Sequence, residues 1–147
     1  EIRGASADAT TSTGKLLLST SLTDINDGDV IGRIDFQAPL EAGGTDAILV
    51  GAAIWAEADA TFSATVNSTD LVFATGDSGA ATEKLRIDST GVCTFADGAI
   101  DVNIASHDGT NGLKLGGVLV TATAGELNAT STAATMGKAI AMAIVFG

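Results

Sequence analysis

Few side chains in this sequence are of types that do chemistry, and fewer still stand at spacings that let them act together. The densest oxygen-rich stretch is residues 24–29, where Asp24, Asn26, Asp27 and Asp29 are interspersed with Ile25 and Gly28. Carboxylate and amide oxygens so spaced suit a hard cation such as calcium. Against the calcium-loop pattern D-x-[DN]-x-[DN]-G, however, Gly28 comes one position early, and Asp35 stands where a bidentate Glu is needed. A polar turn leading into the next strand is therefore the better reading, with a weak calcium site as the sharper alternative. His107 is the only histidine and has Asp108 beside it. A metal site or catalytic triad needs convergent partners, and the sequence holds no second His and no paired Cys. His107 reads as a loop residue. Asn67-Ser68-Thr69 and Asn128-Ala129-Thr130 match the glycosylation sequon, which matters only in a secretory pathway. Residues 112–117 lack the G-x-G-x-x-G spacing and following helix of a dinucleotide loop, so Gly116-Gly117 reads as a kink or close-packing site. The expectation is a non-enzymatic protein with no cofactor.

Composition narrows the classes further. The chain has 147 residues, with 18 Gly, one Pro, no Tyr, five Phe and one Trp. Its apolar content is mostly Ala and small β-branched residues, which struggle to bury enough area alone at roughly 25 cal/mol per Å². Small residues let backbones approach, so association of identical chains is expected. The net charge of −11 and the scattered Lys and Arg argue against nucleic acid, since phosphate contacts need clustered cations. A solvated acidic surface is the plain reading, and a cation-binding surface the sharper one. Cys93 has no partner for a disulfide and, in a strand, would act as a small hydrophobe. The longest apolar run, 139–146, is far short of the ~20 residues of a membrane span. Glu1 in first position points to a trimmed N-terminus, and no signal-peptide apolar region is visible.

The elements that would position these residues are mostly strands. Residues 1–14 are small, polar and aperiodic, and read as a flexible arm; 15–111 read as a β-rich module and 112–147 as a C-terminal module with β and short-helix patterns. Strand patterns are expected at 15–19, 30–37, 61–66, 92–96, 99–105 and 113–121, and at 47–57 with a kink at Gly51. The clearest element is 67–91, two alternating runs joined by Gly76-Asp77-Ser78-Gly79. Its apolar face, Leu71, Phe73, Leu85 and Ile87, is expected to meet Phe36 and seal the core. The opposite face, with Lys84, Arg86 and Asp88, is expected to point outward or pair with neighbouring chains. Thr123-Ala124-Gly125-Glu126 is a T-x-x-E capping box and predicts one short helix near 123–129. In 139–146, Ile140, Met142, Ile144 and Phe146 line one face and small residues the other, a pattern that suggests packing against other subunits. Strands with turn signals at roughly 8–12-residue spacing predict an all-β fold of sandwich-like or prism-like modules.

Two stretches resemble phrases common in bacteriophage virion proteins. Residues 68–76 (STDLVFATG) and 83–91 (EKLRIDSTG) are similar to a strand, a small-residue turn and an (E/R)-x-(L/M)-R-I-D-x-x-G strand found in tail-fibre, head-fibre and capsid decoration proteins. Residues 31–36 and 52–62 fit the same module. Residues 112–128 (GLKLGGVLVTATAGELN) resemble a second such phrase, G-L-x-L-G-G-x-L-V-T-A-(S/T)-A-x-E-L-N. The resemblance implies an intertwined homotrimer on the virion surface, with 112–147 as its trimerisation module, contacting the major capsid protein or other virion proteins. The short arm ahead of the first strand favours a capsid decoration or head-fibre protein, or a fragment of a fibre. One alternative is a tail-fibre segment or receptor-binding tip for a host surface glycan, with Trp55 as the aromatic platform. Another is a self-assembling bacterial surface or filament protein.

Overall fold

The fold is built on alternation. Five runs of alternating small, branched and charged residues pair as one antiparallel sheet in a computed structural model that describes residues 2, 12–96 and 100–128. The strands are β1 (Val30–Gln37), β2 (Val50–Ala58), β3 (Thr69–Thr75), β4 (Thr82–Ile87) and β5 (Cys93–Phe95), in the spatial order β1-β2-β3-β4-β5. Each strand therefore pairs with its neighbours in sequence, as consecutive strands usually do. The Asp88 turn shows how the connections close. Asp88 Oδ1 accepts hydrogen bonds from Thr90 N (2.8 Å), Thr90 Oγ1 (2.7 Å) and Val92 N (3.0 Å), which reverses the chain between β4 and β5. These bonds, with the Thr90 hydroxyl first, hold the Asp88 carboxyl below the usual carboxylate range.

The chain divides into two compact units, 1–100 and 101–147. In the second, β6 (Lys114–Leu115) and β7 (Val118–Leu119) form a two-residue hairpin. Gly116 and Gly117 supply its turn with φ of +57° and +83°, the pair of left-handed residues that a type I′ turn requires. The expected kink is thus a tight reversal. The capping box forms as expected. Thr123 Oγ1 accepts from Glu126 N (3.3 Å), while Glu126 Oε2 accepts from Thr123 N (2.7 Å), ahead of a helix α1 at 124–128. The described chain is thus mostly β, with one short helix.

Some expected strands are not strands. Residues 61–66 alternate, yet form a tight turn in which Ser63 and Val66 bridge (Ser63 N to Val66 O, 2.9 Å) and Ser63 Oγ accepts from Thr65 N (3.3 Å). Local hydroxyl bonds of this kind compete with a ladder. Residues 100–105 hold no strand either. Residues 15–19 pair with nothing in a ladder and instead lie against β1, with Leu18 so close to Gly32 that a Cβ there would lie 2.7 Å from the Leu18 Cβ.

Register assigns the two faces of the sheet. Directly paired residues share a face, so Arg33, Trp55, Val72 and Arg86 lie in one row. Asp35, Ala53 and Ala74 with Glu83, and Glu57 with Asp70, lie on that same face. The opposite face carries Ile34, Phe36, Ile54, Leu71, Phe73, Leu85, Ile87 and Phe95. Leu71, Phe73, Leu85, Ile87 and Arg86 fall on the faces their alternation predicts, Lys84 sits at the register shift between β3 and β4, and the fully buried residues are not confined to the apolar face. Val72 is 0% exposed and Asp70 3%, both on the charged face, whereas Leu71 is 40% exposed and Phe36 54%. The reason is side-chain length. Val72 is paired with both Trp55 and Arg86, and long side chains roof small ones while their polar ends stay wet.

Candidate functional site

The most organised set of polar side chains is centred on Arg86 in β4. Its guanidinium reaches across β3 to β2: Nη1 and Nη2 donate to Glu57 Oε1 (both 3.0 Å), and Nη1 also donates to Asp70 Oδ2 (2.5 Å). Nε and Nη2 donate to the two oxygens of Glu83 (3.0 and 2.7 Å), the bidentate fork that only Arg can offer. Asp70 completes its shell by accepting from Ser89 N (3.0 Å). The Asp70 side chain is 4% exposed, against 25% for Arg86, so the carboxylate is the buried member. The bonds to Glu83, Asp70 and Glu57 raise the Arg86 pKa further, and Arg86 in turn holds the Glu83 carboxyl below the usual range. Among the described residues no buried side-chain nitrogen or oxygen lacks a partner. What the cluster does chemically is lock three strands together.

Trp55 extends the same face. The Arg33 guanidinium sits 4.8 Å from the ring centroid, and the indole N–H donates to Glu57 Oε2 (2.9 Å). Arg33 also donates to Asp35 Oδ1 (2.5 Å). Trp55 is thus half-buried and engaged at both its polar tip and one ring face, neither deep in a core nor a bare platform.

The oxygen-rich stretch 24–29 forms a turn. Asp29 Oδ2 accepts from Asn26 N (2.8 Å) and Asp29 N donates to Asn26 O (3.1 Å). Gly28 N and Asp29 O both bond to Ala58, tying the turn to the end of β2. Among the described residues no three Asp, Glu, His or Cys side chains gather as a metal site, Asp24, Asp27 and Asp29 included.

His107 belongs to the second unit, where it clasps the base of the β6–β7 hairpin. Its Nε2 lies 3.0 Å from Ala122 O, and its Nδ1 accepts from Leu113 N (3.4 Å). The neutral Nε2–H tautomer satisfies both contacts. Gly112, at φ +130°, makes room for the ring, because a Cβ there would lie 2.1 Å from Nδ1. Asp108 does not face the imidazole as a catalytic partner would. It caps its own loop through Asn111 N and Thr110 N (both 2.8 Å), bonds that lower its pKa. Beside His107, Val102, Ile104, Leu113, Val120 and Leu127 line an apolar recess of about 380 Å³.

Of the residues singled out in sequence, Ile140, Met142, Ile144 and Phe146 lie outside the described residues, as does most of the 1–14 arm. Cys93 lies exposed in β5, paired with Ile87 and so on the apolar face. Sequence reasoning missed the Arg86 cluster. Its only linear trace is an Arg in an alternating run whose partners, Glu57 and Asp70, occupy alternate positions of two earlier strands. No helix among the described residues is long and apolar enough to cross a membrane. Neither protein-family models nor curated proteins give a match to this chain.

Proposed function

We propose that the chain is a non-enzymatic structural protein of the bacteriophage virion surface, a capsid decoration or head-fibre protein that works by assembling as a β-rich homotrimer. The observation that carries this reading is a sheet whose apolar face stays partly exposed beside residues 16–18, which cover some of it near β1. Ile34, Phe36, Leu71 and Phe95 on it are 38–54% exposed, and a sheet is stable when both its faces find a partner or water suits them. Exposed apolar area of that kind marks an interaction surface. The phage-like phrases at 68–91 and 112–128 supply the biological setting, and the Arg86 cluster gives the rigidity a particle component needs. In the trimer, Ile140, Met142, Ile144 and Phe146 form inter-subunit contacts, in sandwich-like or prism-like packing.

Deletion of 139–147 tests the assembly. Sedimentation of the full chain gives a trimer, and the truncated chain loses it; a truncated chain that stays trimeric overturns the role given to those residues. Electron microscopy of particles carrying a labelled chain tests the setting, and label on tails or on a bacterial surface refutes the capsid reading.

A further inference from the structure

The charges of the sheet are sorted. Within β1–β5, Arg33, Asp35, Glu57, Asp70, Glu83 and Arg86 all lie on one face by register. Lys84, at the register shift between β3 and β4, is the single strand charge outside that set. The opposite face carries no carboxylate in a chain whose net charge is −11. Two copies of so acidic a molecule repel each other across most approaches. The approach that brings no acid against acid is apolar face to apolar face.

Size and shape agree. Five strands about 4.8 Å apart and roughly 20 Å long offer a face of about 400–500 Å² in outline, and two such faces approach the ~1,000 Å² that separates specific interfaces from incidental ones. On this face the small residues Gly32, Ala52, Ala56 and Ala58 alternate with the larger Ile34, Phe36, Ile54, Phe73, Leu85 and Phe95. Small and large side chains side by side allow copies to interdigitate. The segment 16–18 already lies against β1, and with Gly32, Ile34, Ile54, Ala56 and Leu71 it borders a groove of about 290 Å³ still open beside it.

We infer that the apolar face of the sheet, Ile34, Phe36, Ile54, Leu71, Phe73 and Phe95, turns inward in the trimer and packs against the same face of the other copies of this chain. This inference rests on the assembly proposed above and names its contact as the sheet itself, in addition to the C-terminal strand. Cys93 is a built-in reporter. It is the only thiol, it is exposed, and it lies on that face at the β5 edge.

The experiment uses the full chain in two assays, sedimentation over a concentration series and the rate of Cys93 modification by an aromatic disulfide reagent at the same concentrations. The expected result is a Cys93 rate that falls at least tenfold as oligomers form. Phe95→Glu abolishes both the protection and the sheet-mediated oligomer, while Thr94→Glu, next to it on the other face, changes neither. Circular dichroism verifies that both variants keep the sheet. Protection that is independent of concentration shows a segment of the same chain on the face and overturns the inference. Rapid modification at every concentration does so too. If oligomers form while Cys93 stays fully reactive, assembly stands and this face is not its contact; if no oligomer forms at any concentration, both readings fall.

Discussion

Arg86→Met removes the guanidinium while keeping much of the aliphatic length that roofs Val72. What remains is Asp70, with a side chain 4% exposed and only Ser89 N still donating to it. Breaking a buried pair by deleting one partner costs about 3–5 kcal/mol, because the surviving charge is left uncompensated. Arg86 itself is a quarter exposed and Glu57 and Glu83 can turn to water, so the lower end, about 3 kcal/mol, is the expected loss. With a urea slope of about 1.5 kcal/mol per M, the unfolding midpoint falls by roughly 2 M. The assay is urea unfolding by tryptophan fluorescence at pH 7, at fixed protein concentration, since Trp55 sits in the same row. The double variant Asp70→Asn/Arg86→Met recovers part of the loss, because a neutral amide tolerates the site better than a bare carboxylate. A single-variant loss below about 1 kcal/mol, or the same loss in the Asp70→Asn background, refutes the view that the buried carboxylate is what Arg86 serves.

Other expectations follow from the same geometry. Glu83 has its folded pKa lowered by Arg86, so its contribution is fully present above the ordinary glutamate range of about 4.3 and is lost as pH falls through the lower folded value. Urea midpoints between pH 7 and pH 3 should show this acid-side loss in the native chain and a shallower one in Arg86→Met. In the second unit, Gly112→Ala places a Cβ 2.1 Å from His107 Nδ1 at φ +130°, whereas Gly117→Ala, at φ +83°, meets nothing within 4 Å. Both bear backbone strain of about 1–3 kcal/mol, but only Gly112→Ala also breaks the His107 to Leu113 bond, about 1 kcal/mol more. Faster amide exchange at Leu113 in Gly112→Ala alone is the expected signature; equal exchange in both variants counts against the clasp.

Much of the sheet was legible because alternation and turn chemistry are local. The runs at 70–74 and 84–88 read as strands from their period and lie within or beside Thr69–Thr75 and Thr82–Ile87, the Asp88 turn was legible from its Asp-Ser-Thr-Gly, and the helix start from Thr123 and Glu126. Which residues are fully buried was not legible. Apolar residues normally mark the inside, but Arg86 finds its partners on strands that begin 13 and 32 residues before its own, a relation no window along the chain contains. The turn at 61–66 failed for the opposite reason: its alternation is real, but Ser63 can bond its own backbone and does so. His107 was read as a loop residue for want of partners, and its partners proved to be backbone groups, which every residue carries and no motif advertises.

The Arg86 cluster also acts on how the sheet reaches its register. Each strand pairs with its sequence neighbour, so the meander can grow one hairpin at a time. Such growth is prone to slips, because a strand moved by one residue still finds backbone partners while every side chain changes face. Here a one-residue slip of β4 would turn Arg86 onto the side of Leu71 and Phe73 and leave Asp70 buried without its cation. A guanidinium that meets Glu57, Asp70 and Glu83 together only when β2, β3 and β4 are aligned makes the native register lower in free energy than a slipped one, so the cluster fixes the register as well as holding the strands.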